Sequence, residues 1–191
     1  RAAANTLGQI GPLAEPAVPA LADLVIFDES HEVRDLAARA LGRIGGAAEP
    51  VLVQLLEDAD AEVRVRGATA CRELKSAATP TVAALQSAVA DSAPQVRIAA
   101  MESLWAVSHN SQSVVPPAIA ELSDDDRDIR MRSVRLLESI GPGLSDWLPE
   151  LRALTKSDGG QAAQAAARVL RTYETAVKRE EEPRINANRR E

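Results

Sequence analysis

The chain has 191 residues, 46% of them hydrophobic but only 2% aromatic, and a net charge of -6. A globule of this length ordinarily buries more Phe, Tyr and Trp, and the acidic balance argues against nonspecific nucleic-acid binding. No unbroken apolar run approaches the ~18 residues needed to cross a bilayer, so no membrane span is expected; the single cysteine, Cys71, excludes an intrachain disulfide.

Read in chain order, the sequence repeats itself. Residues 1–11 match the closing stretch of a unit, ending Leu7-Gly8-Gln9-Ile10-Gly11, so the chain opens inside a motif and further sequence is expected upstream of Arg1. The next unit, about residues 12–45, carries an apolar first helix (Val18, Leu21, Leu24), a turn at Asp28, and a second helix that starts at Val33-Arg34 and stops at Gly45. The same order returns at about 46–77 (Leu52, Leu55; Asp58; Val63-Arg64), 78–109 (Val82, Leu85; Asp91; Val96-Arg97) and 110–142 (Val115, Ile119; Asp124; Ile129-Arg130). The unit at 143–176 keeps its helices (Leu148, Leu151, Leu154) but has Ser157 in place of the Asp and Ala162-Ala163 in place of Val-Arg. A terminal repeat has no next neighbour, and loss of the linking residues is what a cap requires. Its second helix is expected from Gln161 to about Val177, and the charged stretch 177–191 is expected to be a disordered tail.

The anchors Asp28, Asp58, Asp91 and Asp124 advance by 30, 33 and 33 residues, a period that marks a helical solenoid. Within the second helices, the residue four after the Val is Ala37, Gly67, Ala100, Ser133 or Ala166, small where two backbones approach closely. Eight after it stand Leu41, Cys71, Leu104, Leu137 and Leu170, and eleven after it Ile44, Leu74, Val107, Ile140 and Tyr173. These offsets fall on one face of an α-helix. Ser30, Asp60 and Asp126 are placed as N-caps, Ala93 precedes Pro94 at a first turn, and Gly45 and Gly141 stand as C-caps. Prolines 16, 19, 50, 80, 116, 117 and 149 are read as helix entries, where a missing N–H does least harm. The predicted fold class is all-α, with no strand.

The Asp…Val-Arg…Ala…Ala-Leu…Ile-Gly columns, clearest from Asp28 to Gly45, resemble the HEAT-repeat family, particularly its bacterial HEAT-like branch, over roughly residues 1–176. The resemblance implies a single α-α superhelix, a right-handed solenoid of paired antiparallel helices with the second helices lining the concave side. It also implies that Asp28, Arg34, Asp58, Arg64, Asp91, Arg97, Asp124 and Arg130 form a structural ladder. Each Arg would reach an Asp of its own or an adjacent repeat, a pairing that suits the guanidinium fork.

No constellation points to catalysis, a cofactor or a metal. Cys71 occupies a column otherwise filled by Leu and reads as a buried hydrophobe. HEAT-like di-iron hydroxylases carry several His-Glu pairs in register, whereas His31-Glu32 stands alone before its Val and His109 lies in a loop, so the pair reads as a solvated turn. Gly141-Pro142-Gly143 lacks the strand and Lys of a phosphate loop, and Asp124-Asp125-Asp126 lacks the Gly and distal Glu of a calcium loop.

The functional signal lies in the outward columns of the second helices. Six after the Val stand Arg39, Thr69, Glu102, Arg135 and Arg168; nine after it stand Gly42, Arg72, Trp105, Glu138 and Arg171; Arg66 and Arg132 stand three after it, and Arg43 faces Glu73. Arginine exceeds acid here, and the balancing acids are expected in turns and first helices (Asp23, Glu57, Asp124, Asp125, Glu150). Such segregation favours an acidic protein or peptide partner, and Trp with Arg is what interface hot spots favour. A partner-binding surface of Arg72, Trp105, Arg132 and Arg135, extended by Arg39 and Arg168, is therefore expected, while Trp147 reads as core. The predicted function is a noncatalytic interaction scaffold. The alternative is an enzyme-associated protein resembling phycobilin lyases or DNA glycosylases, the latter requiring a steep salt dependence of DNA binding.

Overall fold

The computed structural model describes residues 1–74, 77–156 and 160–188, with side chains through Arg179, and these residues form helices and turns without a strand. Two compact units emerge, Arg1–Asn110 and Ser111–Glu191. The first unit holds α1 (Ala2–Ile10), α2 (Val18–Phe27), α3 (His31–Ile44), α4 (Glu49–Leu56), α5 (Ala61–Cys71), α6 (Thr79–Ala88) and α7 (Pro94–Ser108). The pairs α2/α3, α4/α5 and α6/α7 are helical hairpins. Second helices stack on second helices, α1 on α3, α3 on α5 and α5 on α7, while α4 packs on α6 in the other layer. The second unit holds α8 (Ser111–Ala120), α9 (Arg127–Ile140), α10 (Leu148–Thr155) and α11 (Gln161–Asn188), with α8 against α9, α10 against α11, and α9 against α11.

The core sits where the period placed it. Leu41, Cys71, Leu104 and Leu137 are almost wholly buried, as are Val63, Val96 and Ile129 at the helix starts. The small column lies at the closest helix approaches: a Cβ added to Gly67 would stand 2.9 Å from the Leu55 Cβ and 3.0 Å from its main-chain carbon, so α4 and α5 touch there almost backbone to backbone. Gly45 and Gly141 end their helices at φ 83° and 58°, a region that favours glycine. Asp60 and Asp126 accept the N–H of the residue two on, as N-caps do; Ser30 makes no side-chain cap.

Several expectations are corrected. Gly42 is not outward but buried, because α5 lies directly over it. Pro116 and Pro117 do not open a helix; α8 begins earlier, at Ser111, and both rings lie inside it, removing the donors that would have met the carbonyls of Gln112 and Ser113. α5 stops at Cys71, and the N–H groups of Arg72, Glu73 and Leu74 bond the carbonyls three residues back, which carries the chain round while keeping Leu74 buried. α11 runs to Asn188, well beyond Val177, since the Lys, Arg and Glu residues that follow are good helix formers. The expected tail is thus helical as far as Asn188, and residues 189–191, like Ser157, lie outside the described residues.

The membrane expectation also needs correcting. The 26-residue stretch Ala2–Phe27 contains an 18-residue window with a mean hydropathy of 1.5, enough by length and composition to cross a bilayer. In the structure it is interrupted by a 3-10 turn at Gly11–Ala17 carrying Pro12 and Pro16, and α1 and α2 both pack on α3 as parts of the repeat stack.

Candidate interaction surface

The anchor aspartates do two jobs. Each closes a tight turn ahead of its second helix: Asp28, Asp58, Asp91 and Asp124 accept the backbone N–H two residues on at 2.7–2.9 Å, as a side-chain-capped turn does. Asp91 also receives Arg64 from the preceding repeat through two parallel bonds, Nε to Oδ2 at 2.7 Å and Nη2 to Oδ1 at 2.9 Å. Arg64 turns Nη1 onto the carbonyls of Asp58 and Ala59, so one guanidinium fastens its own turn and grips the next. Arg97 and Arg130 make the same carbonyl contacts, to Asp91 and Ser92 and to Asp124 and Asp125. Arg34 departs from the pattern: its Nη2 turns to the His31 ring at 2.7 Å, and its Nε is buried without a partner. The Arg64 hydrogen bond holds the Asp91 carboxyl below the usual carboxylate range, against burial, which pushes the other way; the same contact raises Arg64.

A second set of pairs runs across the exposed face of the second helices. Arg43 Nε meets Glu73 at 3.1 Å, Arg72 meets Glu102 at 3.3 Å, and Arg66 Nε meets Asp35 at 2.9 Å with Glu62 at 3.2 Å from its Nη2. In the second unit Arg168 forks onto Glu138 at 2.9 and 3.1 Å, which raises the guanidinium above its ordinary value. Apart from the Arg66–Glu62 contact within α5, each pair joins neighbouring repeats. The acids expected to be segregated into turns and first helices are therefore matched by others on the second helices (Asp35, Glu102, Glu138) or just past the end of one (Glu73), and charge separation is smaller than the columns implied.

The expected partner-binding residues divide accordingly. Arg72 and Arg168 are exposed but engaged with acids. Arg39 and Arg135, both six after the Val, are exposed and have no hydrogen bond or ion pair among the described residues. Arg132 is half-buried and engaged. Trp105 is half-buried, its ring tilted 55° against His109 with centroids 5.1 Å apart, and His109 caps α7 at φ 51°. Arg39, Arg72 and Trp105 belong to the first unit, and Arg132, Arg135 and Arg168 to the second. Trp147 is only half-buried; Leu144, one turn earlier, anchors that end of the repeat.

Cys71 is fully buried and its thiol is pushed up to about 12, first by burial and then by the Glu49 charge. A thiolate is the reactive form, so native protein at pH 8 should react with a thiol reagent only as fast as the α5 region opens. Unfolding in guanidinium should raise the rate by orders of magnitude; equal native and denatured rates would contradict the assignment. His31 opens α3, exposed, within reach of Arg34, Arg66 and Glu62, and among the described residues no group of three or more His, Cys, Asp or Glu could hold a metal ion.

Sequence reasoning missed the double use of the anchor Asp and the carbonyl contacts of the ladder Arg. Both depend on a turn geometry that no column of identities displays. The inter-repeat acid partners had a usable signal, since Glu73, Glu102 and Arg168 each stand 30 residues beyond Arg43, Arg72 and Glu138.

The sequence pattern of the HEAT repeats matches residues 1–71 and 82–171. No curated protein matches the chain. Among solved structures, the complex of CpcE and CpcF of phycocyanin lyase from Nostoc sp. PCC7120 is similar at 21% identity and a TM-score of 0.61, over 82% of this chain and 98% of that chain. The archaeal HEAT-like repeats protein from Thermococcus onnurineus NA1 is similar at 15% identity and a TM-score of 0.49, over 90% of this chain and 81% of that one. A computationally designed armadillo repeat protein for modular peptide recognition is similar at 20% identity and a TM-score of 0.49, over 90% and 92%. At 21% identity the likeness to the lyase complex is one of fold.

Proposed function

The chain belongs to the HEAT-repeat family, and from that premise we propose that it is a noncatalytic protein–protein interaction scaffold. It takes an acidic protein or peptide segment on the exposed face of its second helices. The observation that carries this reading is the state of Arg39 and Arg135. Each unit has one of them, at the same repeat position of a second helix whose neighbouring arginines are tied to acids of the adjacent repeat; both are exposed and have no partner among the described residues. An exposed guanidinium with its donors open is a ready receptor for a carboxylate. The inter-repeat pairs around them hold the helices at fixed spacing, so a bound segment would meet a preformed surface and give up little order on docking. Trp105, propped on His109, would add the large apolar contact that such sites favour.

The test is affinity capture from an extract of the source cells with the immobilised full chain. Wild type and the Trp105→Ala/Arg135→Glu double variant are compared after both show the same helical circular dichroism and melting temperature. The variant is expected to lose the acidic partners. Retention of the complete partner set would remove the surface from consideration.

A further inference from the structure

Two clefts of the same kind lie between adjacent second helices, and they differ in charge. The first, between α3 and α5, measures about 220 Å³ and is lined by two acids and two arginines, Asp35 and Glu73 with Arg39 and Arg66; Arg66 is already spanned by Asp35. The second, between α9 and α11, measures about 400 Å³ and is lined by Arg127, Arg130, Arg168 and Arg171 with Gln161 and Gln164, with no carboxylate lining it among the described residues. Among the described residues, Arg168 is the one of the four guanidiniums that meets a carboxylate, that of Glu138. Arg130 is buried, and its Nη1 is fixed on the carbonyls of Asp124 and Asp125 at 2.7 and 2.8 Å, which orients the group but leaves its charge in place. Arg127 and Arg171 are exposed and have no side-chain partner among the described residues.

We infer that the α9/α11 cleft is an anion-binding subsite that anchors a short peptide segment through two or three negative charges. Three uncompensated guanidiniums around one opening repel one another, a cost that an anionic ligand removes. Their planar forks present paired N–H donors to carboxylate or phosphoryl oxygens, and the Gln161 and Gln164 amides add neutral donors beside them. A lone carboxylate would leave most of that charge unmatched. A run of acidic side chains would match it, and a phosphorylated residue, carrying about 1.5–2 negative charges, would match the larger part of it. This inference rests on the reading of the second helices as a partner-binding face, and it specifies where and by what chemistry that face takes hold.

Fluorescence anisotropy with the full chain tests it, using labelled hexaglutamate, a hexapeptide with a central phosphoserine among glutamines, and hexaglutamine as the neutral control. Wild type should bind the charged peptides and not hexaglutamine. Arg127→Gln/Arg171→Gln should weaken them at least tenfold at low salt, while Arg1→Gln/Arg152→Gln, an equal charge change on α10 and at the first residue, should stay within twofold of wild type. Tighter binding of the phosphoserine peptide would assign the cleft to a phosphorylated segment, and equal or tighter binding of hexaglutamate to carboxylates. Equal weakening by both double variants would mean diffuse electrostatic attraction and overturn the subsite. So would failure of wild type to bind either charged peptide. If either happens while the Trp105→Ala/Arg135→Glu variant still loses its captured partners, the cleft fails and the scaffold reading stands; if capture is also unaffected, both fail.

Discussion

Gly42→Ala is expected to destabilise the protein by about 3 kcal/mol, although alanine is the better helix former by about 1 kcal/mol. A Cβ on Gly42 would stand 2.1 Å from the Ala70 carbonyl oxygen, 2.9 Å from the Glu73 Cβ and 3.0 Å from the Ala70 carbonyl carbon. Two of those three atoms are main chain of α5, so no rotamer change relieves the overlap; α3 and α5 must move apart. Moving them strips packing from Leu41, Ala38 and Ala70, all buried at this contact, and pulls Arg43 from Glu73 on the outer face. Urea unfolding followed by circular dichroism measures the effect as a lower midpoint. Gly46→Ala is the control, because its added Cβ would find nothing nearer than a Glu49 carboxylate oxygen at 3.9 Å. A Gly42→Ala midpoint at or above wild type would mean that the two helices do not lie this close.

That glycine also marks where the sequence stops being readable. The columns four and eight residues after the Val were legible because burial of Ala37, Gly67, Ala100, Leu41 and Leu104 imposes a 3.6-residue rhythm on residue type. Nine after the Val, the same column holds an exposed Arg72, a half-buried Trp105 and a buried Gly42, since how closely the next repeat approaches varies along the stack. No single type is selected, and the period is silent. Charged side chains obscure the surface for a related reason. An arginine pattern looks the same whether its partner is a ligand or a glutamate 30 residues away, and only coordinates separate Arg72, tied to Glu102, from Arg39, with no partner among the described residues. The α9/α11 cleft was less legible still. Arg127 lies outside the repeat columns, Arg171 stands in a column shared with a glycine, a tryptophan and a glutamate, and Gln161 is uncharged; it is the meeting of two helices that gathers them. Pro116 and Pro117 show the opposite limit, because a local preference for helix entries gives way when the flanking segment, with Val114 and Val115 buried, gains more by being helical.

Asp91→Ala is expected to cost about 2 kcal/mol at neutral pH, and most of that cost should disappear in acid. The substitution removes both bonds to Arg64 and the cap on the Ala93 N–H, leaving a guanidinium that is only 15% exposed without its counter-charge. Asp91→Asn separates the two roles: the amide oxygen can still close the turn, so whatever stability remains lost belongs to the charge pair. The pH dependence follows from the direction of the shift. The Asp91 carboxyl titrates lower in the folded chain than in the unfolded one, chiefly through the Arg64 hydrogen bond, so the unfolded state binds the proton more readily. The pair therefore contributes its full stability above the ordinary carboxylate range and loses it progressively as pH falls through that range towards the depressed folded value. Wild type and Asp91→Ala unfolding curves should converge in that window, with a double-mutant cycle against Arg64→Ala giving a coupling of roughly 1–2 kcal/mol at pH 7 and little at pH 2. Parallel pH profiles, or a coupling near zero at neutral pH, would show that the grip between successive repeats is carried by the apolar columns alone. The charged ladder would then serve to close turns and would not join one repeat to the next.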